Sequence, residues 1–309
     1  MSGKPPGEPR ERKRRERVAA AELREAAGLV GQTVLDRYVV ESVLGAGAMG
    51  VVYRGRHVNL PRQVAIKVMH DDVEREPSML ARFRREAVVA GKLHHPNVAA
   101  VIDVGDHAGR PVMVLEFADG PSLADVMTRE HPMPGARIVE LVRGILAGLD
   151  HAHGLGLVHR DLKPDNVIVE AEGPRIVDFG IAFLRDPDAS DDGGRLTASG
   201  MIVGTPRYMA PEQAAGGDID HRVDLFSLGV IVYEMLAGAP PFEGTPVEVA
   251  VSNMTFDAPA IAGADQVLDR FMRRLFRRDL ARRFATARAA LDALELDVDR
   301  ALATISLPP

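Results

Sequence analysis

The chain of 309 residues contains no cysteine. Disulfides, thiolate zinc sites and cysteine nucleophiles are therefore excluded. Long apolar runs are also missing. The most apolar long stretch, Leu225 to Ala239, has 15 residues and is interrupted by Glu234. That is too short to cross a bilayer, and it predicts a buried core helix. The first thirty residues are polar and charged, without the apolar core of a secretory signal. Positive charge is not in excess either: the formal net charge is −6, so no global basicity recruits nucleic acid. What is present is a hydrophobic fraction of 46% and a charged fraction of 27%, the balance of a soluble globular protein. The expectation is a cytoplasmic chain with no transmembrane segment.

Composition divides the chain into four parts. Residues 1–35 read as a charged tail, expected to be flexible. Its first thirty residues carry eight Lys/Arg and five Glu. This segment is either a docking arm for an acidic partner or membrane surface, or a solvated and partly helical tail. Residues 36–118 are rich in strands: Tyr38 to Leu44, Val51 to Arg56, Gln63 to Met69, Ala99 to Val104 and Val112 to Phe117. One helix is expected over Ser78 to Leu93, with Phe83, Ala87, Val88 and Leu93 near one face. Residues 119–295 are mostly helical, with helices predicted at Leu123–Met127, Arg137–Gly154, Asp224–Ala237, Gln266–Phe276 and Thr286–Leu302. Residues 296–309 end the last helix. A stretch rich in Asp, Gly and Ser, 186 to 200, reads as a long loop.

Two short segments carry chemistry. His159-Arg160-Asp161-Leu162-Lys163-Pro164-Asp165-Asn166 is followed, twelve residues after Asn166, by Asp178-Phe179-Gly180. Asp161 is a candidate proton acceptor. Asn166 and Asp178 offer hard oxygens for Mg²⁺. Phosphoryl transfer needs such a set: one group to orient the attacking hydroxyl, and oxygens that hold metal against phosphates. Alone, each is equally a surface polar residue or turn former; the joint order and spacing carry the reading.

A second set lies upstream. Gly45, Gly47 and Gly50 sit between two strand candidates, and bare glycines let backbone N–H groups approach phosphate oxygens. The chain continues as strand after Gly50, and no Gly-Lys-Ser/Thr follows. This argues against both a dinucleotide fold and a P-loop. Lys67, in Val64-Ala65-Ile66-Lys67, is a point cation suited to α- and β-phosphates. Glu86 is its natural ion-pair partner, although Arg84 and Arg85 also allow a local surface pair.

Over residues 36 to 295 the chain resembles the eukaryotic-like Ser/Thr protein kinases of bacteria. The resemblance implies an α+β, two-lobed protein kinase fold: a small lobe with a five-stranded antiparallel sheet and one helix, and a larger helical lobe. It implies transfer of the ATP γ-phosphoryl group to Ser/Thr hydroxyls of protein substrates, with Mg²⁺ as the metal and Mn²⁺ as an alternative. By that likeness Asp161 accepts the hydroxyl proton, Lys163 reaches the transferring phosphoryl group, and Lys67 pairs with Glu86. Backbone groups of Glu116 and Ala118 take the adenine edge, Val52 and Ala65 cover the base, and Leu115 closes the pocket. The Lys163-Pro164 pair fits the Ser/Thr class. Gly204 to Glu212 resembles the peptide-binding segment, with Thr205 near Asp161 and Lys163 and Glu212 paired with Arg283. Asp224 resembles the residue that braces the catalytic loop. Arg160 signals control by phosphorylation. Thr197 and Ser199 occupy the autophosphorylation positions, Ser190 is a weaker candidate, and a transient homodimer would serve that reaction. Phe183 stands where the family often has Lys or Arg, removing one phosphate ligand.

Two other readings stay open. A pseudokinase scaffold or nucleotide sensor predicts loss of Lys67, Asp161 or Asp178, and none is lost. A small-molecule phosphotransferase lacks the Gly204–Glu212 segment.

Overall fold

The first expected strands do form, because Val, Ile and Tyr alternate along short runs bounded by turns. The computed structural model describes residues 27–47, 50–70, 83, 87–179 and 206–305. The chain divides into two compact units, Met1–Ala87 with Val101–Phe117, and Val88–Ala100 with Ala118–Pro309.

The first unit holds β1 (Thr33–Val34), β2 (Tyr38–Gly47), β3 (Gly50–His57), β4 (Gln63–Met69), β5 (Val101–His107) and β6 (Arg110–Glu116). They form one antiparallel sheet in the order β1-β2-β3-β4-β6-β5. The five expected strands are there. The additional β1 is only two residues long, too short for any periodicity to reveal. Val34 of β1 and Leu29 before it are buried in the core, so folded structure is already present ahead of the expected start at residue 36. Val40, Val51, Tyr53, Val64, Ile66, Val68, Val112 and Val114 complete one apolar face. Each such side chain, fully buried, contributes roughly 1.5–3 kcal/mol.

In the second unit, α1 (Leu123–Arg129) starts at a capping box in which Ser122 and Asp125 satisfy each other's backbone N–H. The longer α2 (Gly135–Gly154) buries Ile138, Leu141, Val142, Ile145, Leu146 and Leu149, one stripe at helical spacing. A hairpin of β7 (Val167–Glu170) and β8 (Gly173–Ile176) follows. Beyond it come α3 (Pro211–Ala215), α4 (Arg222–Ala237), α5 (Pro246–Thr255), α6 (Gln266–Leu275) and α7 (Ala287–Ile305). Buried from Val223 through Met235, α4 is the central core helix that the apolar stretch predicted. Gly229 lets it approach α6: a Cβ there would stand 2.8 Å from the Phe276 backbone nitrogen. Among the described residues, no helix is long and apolar enough to cross a membrane.

Three expectations need correction. Val88 is 67% exposed, whereas Phe83, Ala87 and Leu93 are buried. Val88 follows the buried Ala87 by one residue, a turn of about 100° that carries it off the buried face. The strand expected from Ala99 begins at Val101, because Ala99 donates its N–H to Ile176 O, at the end of β8. Finally, α3, α5 and the β7–β8 hairpin are further elements. A short apolar stripe hides α5, which buries only Val249, Ala250 and Asn253.

Candidate active site

The sheet of the first unit presents two unlike faces. Opposite the apolar core, register places Val52 beside Lys67, Lys67 beside Met113, and Ala65 beside Leu115. Directly paired residues share a face. So Val52, Ala65, Lys67 and Leu115 lie on one surface. Lys67 is only 7% exposed. An ammonium so buried requires anionic company; Glu86, the expected partner, lies outside the described residues.

The three glycines differ in why they are glycine. Gly50 has φ 158, and an added Cβ would stand 2.3 Å from Val68 O, so its close approach to the neighbouring strand β4 demands glycine. At Gly45, beside a register shift between Val43 and Gly45, nothing among the described residues comes within 4 Å of an added Cβ. None of the described residues demands glycine there, and that open space suits a phosphate approaching the backbone. Gly47 ends β2, opposite Gly50. Glu116 ends β6 with its side chain paired to Arg62 at 3.1 Å, and Ala118 is half-buried two residues on.

In the second unit the remaining described residues come together. The hairpin pairs Val167 with Ile176, and Val177 N donates to Asn166 O at 2.9 Å. This sets Asn166 beside the segment that carries Asp178. The Asn166 Nδ2 donates to Asp161 O at 2.9 Å. Its Oδ1 is thereby left as the atom for a cation. Lys163 Nζ stands 3.0 Å from Asp161 Oδ2. A magnesium ion takes few protein oxygens and completes its shell with phosphates and water. Asn166 Oδ1 and the Asp178 carboxylate fit that chemistry. Among the described residues, no group of three or more His, Asp or Glu is arranged to hold a metal ion.

The backbone carrying Asp161 is held almost wholly by side chains. Asp224, fully buried at the start of α4, accepts from His159 N–H and Arg160 N–H, each at 2.8 Å. Its Oδ2 also meets His153 Nε2 at 2.8 Å. Burial pushes the Asp224 carboxyl upward, but the hydrogen bond and charge of His153, with help from His159, hold it below the ordinary carboxylate value. Asp161 N donates to His159 Nδ1 at 3.3 Å, so the His159 proton sits on Nε2, which faces Val177 O at 3.0 Å. Phe179 packs edge-on against His159, centroids 4.9 Å apart. Arg160 and Asp178 both have left-handed backbones, φ 63 and φ 67. For non-glycine residues such strain costs of order 1–3 kcal/mol and persists where the surroundings over-determine it.

Around α3 and α4 the expected braces are present. Arg283 meets Glu212 at 2.6 Å. Tyr208 OH donates to Glu234 Oε2 at 2.8 Å; burial first, then the Glu234 charge, pushes the tyrosine hydroxyl up. Burial also raises the Glu234 carboxyl, against the Tyr208 hydrogen bond and the Arg207 charge. Sequence reasoning missed Gln213, His153 and the Tyr208–Glu234 pair. Only the last left a trace, a lone glutamate inside an apolar helix. Gly180, Phe183, Ser190, Thr197, Ser199, Gly204 and Thr205 lie outside the described residues.

Comparison with known proteins adds the following. The family described as "Protein kinase domain" matches residues 38–293. The serine/threonine-protein kinase pkn3 of Myxococcus xanthus is 37% identical over 278 residues, covering 87% of this chain and 50% of that protein. The kinase pkn2 of the same organism is 40% identical over 273 residues, 84% of this chain and 32% of that protein. PknB of Mycobacterium tuberculosis is 40% identical over 228 residues, 72% of this chain and 36% of that protein. The chain thus spans half or less of the length of these relatives. Among solved structures, the M. tuberculosis PknI kinase domain superposes with a TM-score of 0.67 at 27% identity, covering 88% of this chain and 100% of that one.

Proposed function

This chain belongs to the protein kinase domain family, and from that premise we propose that it transfers the γ-phosphoryl group of ATP to serine and threonine hydroxyls of proteins. One observation carries the reading: Asp161, Lys163 and Asn166 are tied together on a backbone braced by Asp224. Asp161 accepts the proton of the incoming hydroxyl as its oxygen bonds to phosphorus and ADP leaves. Lys163 faces the negative charge of the transferring group. Lys67 and backbone N–H groups at Gly45, Gly47 and Gly50 hold the other phosphates. Val52, Ala65 and Leu115 flank the adenine, with backbone groups of Glu116 and Ala118 at its edge.

Kinases of this family use ATP with a divalent metal ion. We assign Mg²⁺, with Mn²⁺ as an alternative, to Asn166 Oδ1 and the Asp178 carboxylate; when bound, it neutralises phosphate charge and fixes in-line geometry. Glu86 pairs with Lys67, and Thr205 contacts the acceptor. Phosphorylation at Thr197 and Ser199, between transiently paired copies, raises activity. Residues 36–118 serve as the N-lobe, with Leu29 and β1 joining its core from ahead, residues 119–295 as the C-lobe and 296–309 as the helix end and tail, and the charged segment before Leu29 meets an acidic partner. We also propose a cytoplasmic location, where ATP is supplied. The pseudokinase alternative requires loss of Lys67, Asp161 or Asp178, all of which are present.

The test is incubation of the purified chain with radiolabelled ATP, Mg²⁺ and a peptide array. Phosphoserine and phosphothreonine are expected among the products. Nucleotide binding without transfer would favour the sensor reading.

A further inference from the structure

The Arg160 peptide is gripped at both ends. Its N–H donates to Asp224 Oδ1 at 2.8 Å, and its carbonyl accepts from Gln213 Nε2 at 2.9 Å. The same Gln213 amide accepts the Ala210 N–H through Oε1 at 3.1 Å. Only one orientation of the amide satisfies a donor at Ala210 and an acceptor at Arg160 together. Gln213 is 8% exposed and Ala210 is fully buried, so removing the amide takes from the Ala210 N–H its partner away from water, and from the half-buried Arg160 carbonyl the Gln213 donor.

Its position gives this bridge a consequence. Ala210 lies in the Gly204–Glu212 segment, and Arg160 immediately precedes Asp161. Arg160 is left-handed, φ 63, a conformation that needs outside support. Asp224 supplies that support from α4, and Gln213 supplies it from α3. We infer that Gln213 is a positioning residue that couples the peptide-binding segment to the catalytic base by locking the Arg160 peptide. The inference rests on the kinase reading above. A glutamate in its place still accepts from Ala210 N–H but sets a carboxylate oxygen against the Arg160 carbonyl. A methionine fills the same volume and serves neither group.

The experiment compares wild type, Gln213→Glu, Gln213→Met, Asp224→Asn and the double variant Gln213→Glu/Asp224→Asn. Steady-state transfer to a peptide substrate gives kcat and KM, and amide hydrogen exchange is followed at residues 159–161. The expected result is a kcat loss of about tenfold to a hundredfold in both Gln213 variants, with KM for ATP unchanged. Exchange should rise at 159–161 and not across α2 or α4. The double variant should lose less than the product of the single losses, since both residues act on one peptide. Where one substitution fails to fold, the other keeps both readouts. Unchanged kcat and unchanged exchange at 159–161 in a folded Gln213 variant would overturn the inference while leaving the kinase reading intact. A wild type that transfers nothing would overturn both.

Discussion

Arg283 donates to both oxygens of Glu212, at 2.6 and 3.2 Å, with none of the arginine side chain exposed. The guanidinium also donates to Arg222 O and Arg277 O, each at 2.8 Å. One side chain thus anchors the start of α3, the start of α4 and the segment after α6. Breaking a buried pair by removing one partner costs about 3–5 kcal/mol, because the other charge is stranded. Arg283→Leu should lower stability by roughly that amount in urea unfolding. A loss below 1 kcal/mol would mean that the pair is not structurally needed.

Gly45 and Gly50 separate a ligand demand from a fold demand. Alanine at Gly50 drives a Cβ into Val68 O, whereas at Gly45 it enters open space among the described residues. Gly50→Ala should therefore lower the Tm, through the loss of roughly 1–3 kcal/mol of stability typical of overpacking. Gly45→Ala should leave the Tm in place and raise the KM for ATP. Thermal unfolding and nucleotide titration of the two variants check this; equal Tm losses would remove the distinction.

Acid sensitivity should trace in part to His95. Burial, then the neighbouring His151, lowers its pKa below the ordinary 6.5, and Asp150 opposes them. The rings of His95 and His151 stack at 5.3 Å. The unfolded chain then takes up the proton first, so stability falls as pH drops below about 6.5. Unfolding free energies measured from pH 7.5 to 5 should show a shallower slope in His95→Asn than in wild type. Identical slopes would show that His95 does not contribute.

Thr197 and Ser199 carry the proposed control. Replacing both with alanine should lower activity and reduce the number of phosphates found by mass spectrometry after autophosphorylation. An unchanged phosphate count would move the modified residues elsewhere.

Much of this was legible in the sequence, for physical reasons that differ by residue. Strong alternation marks β2 to β4, and apolar continuity marks α4, because burial leaves periodicity behind. The Glu212–Arg283 and Asp224 braces came through resemblance, since nothing local connects positions so distant in sequence. Gln213 was invisible. Its role depends on a left-handed Arg160 carbonyl that only the folded backbone creates. The two-residue β1 left no period to detect, and α5 little. In α5 a polar residue, Asn253, fills a buried place by donating to Pro206 O, Arg207 O and Met209 O.

The most direct measurement is single-turnover phosphoryl transfer from Mg·ATP to a serine peptide by wild type, Asp161→Asn and Lys67→Met, with each fold checked by circular dichroism. Wild type is expected to transfer, and Asp161→Asn to fall by at least about a hundredfold at unchanged fold. Lys67→Met should be equally silent. Undiminished transfer by correctly folded Asp161→Asn would contradict the assignment of the base, and with it the mechanism.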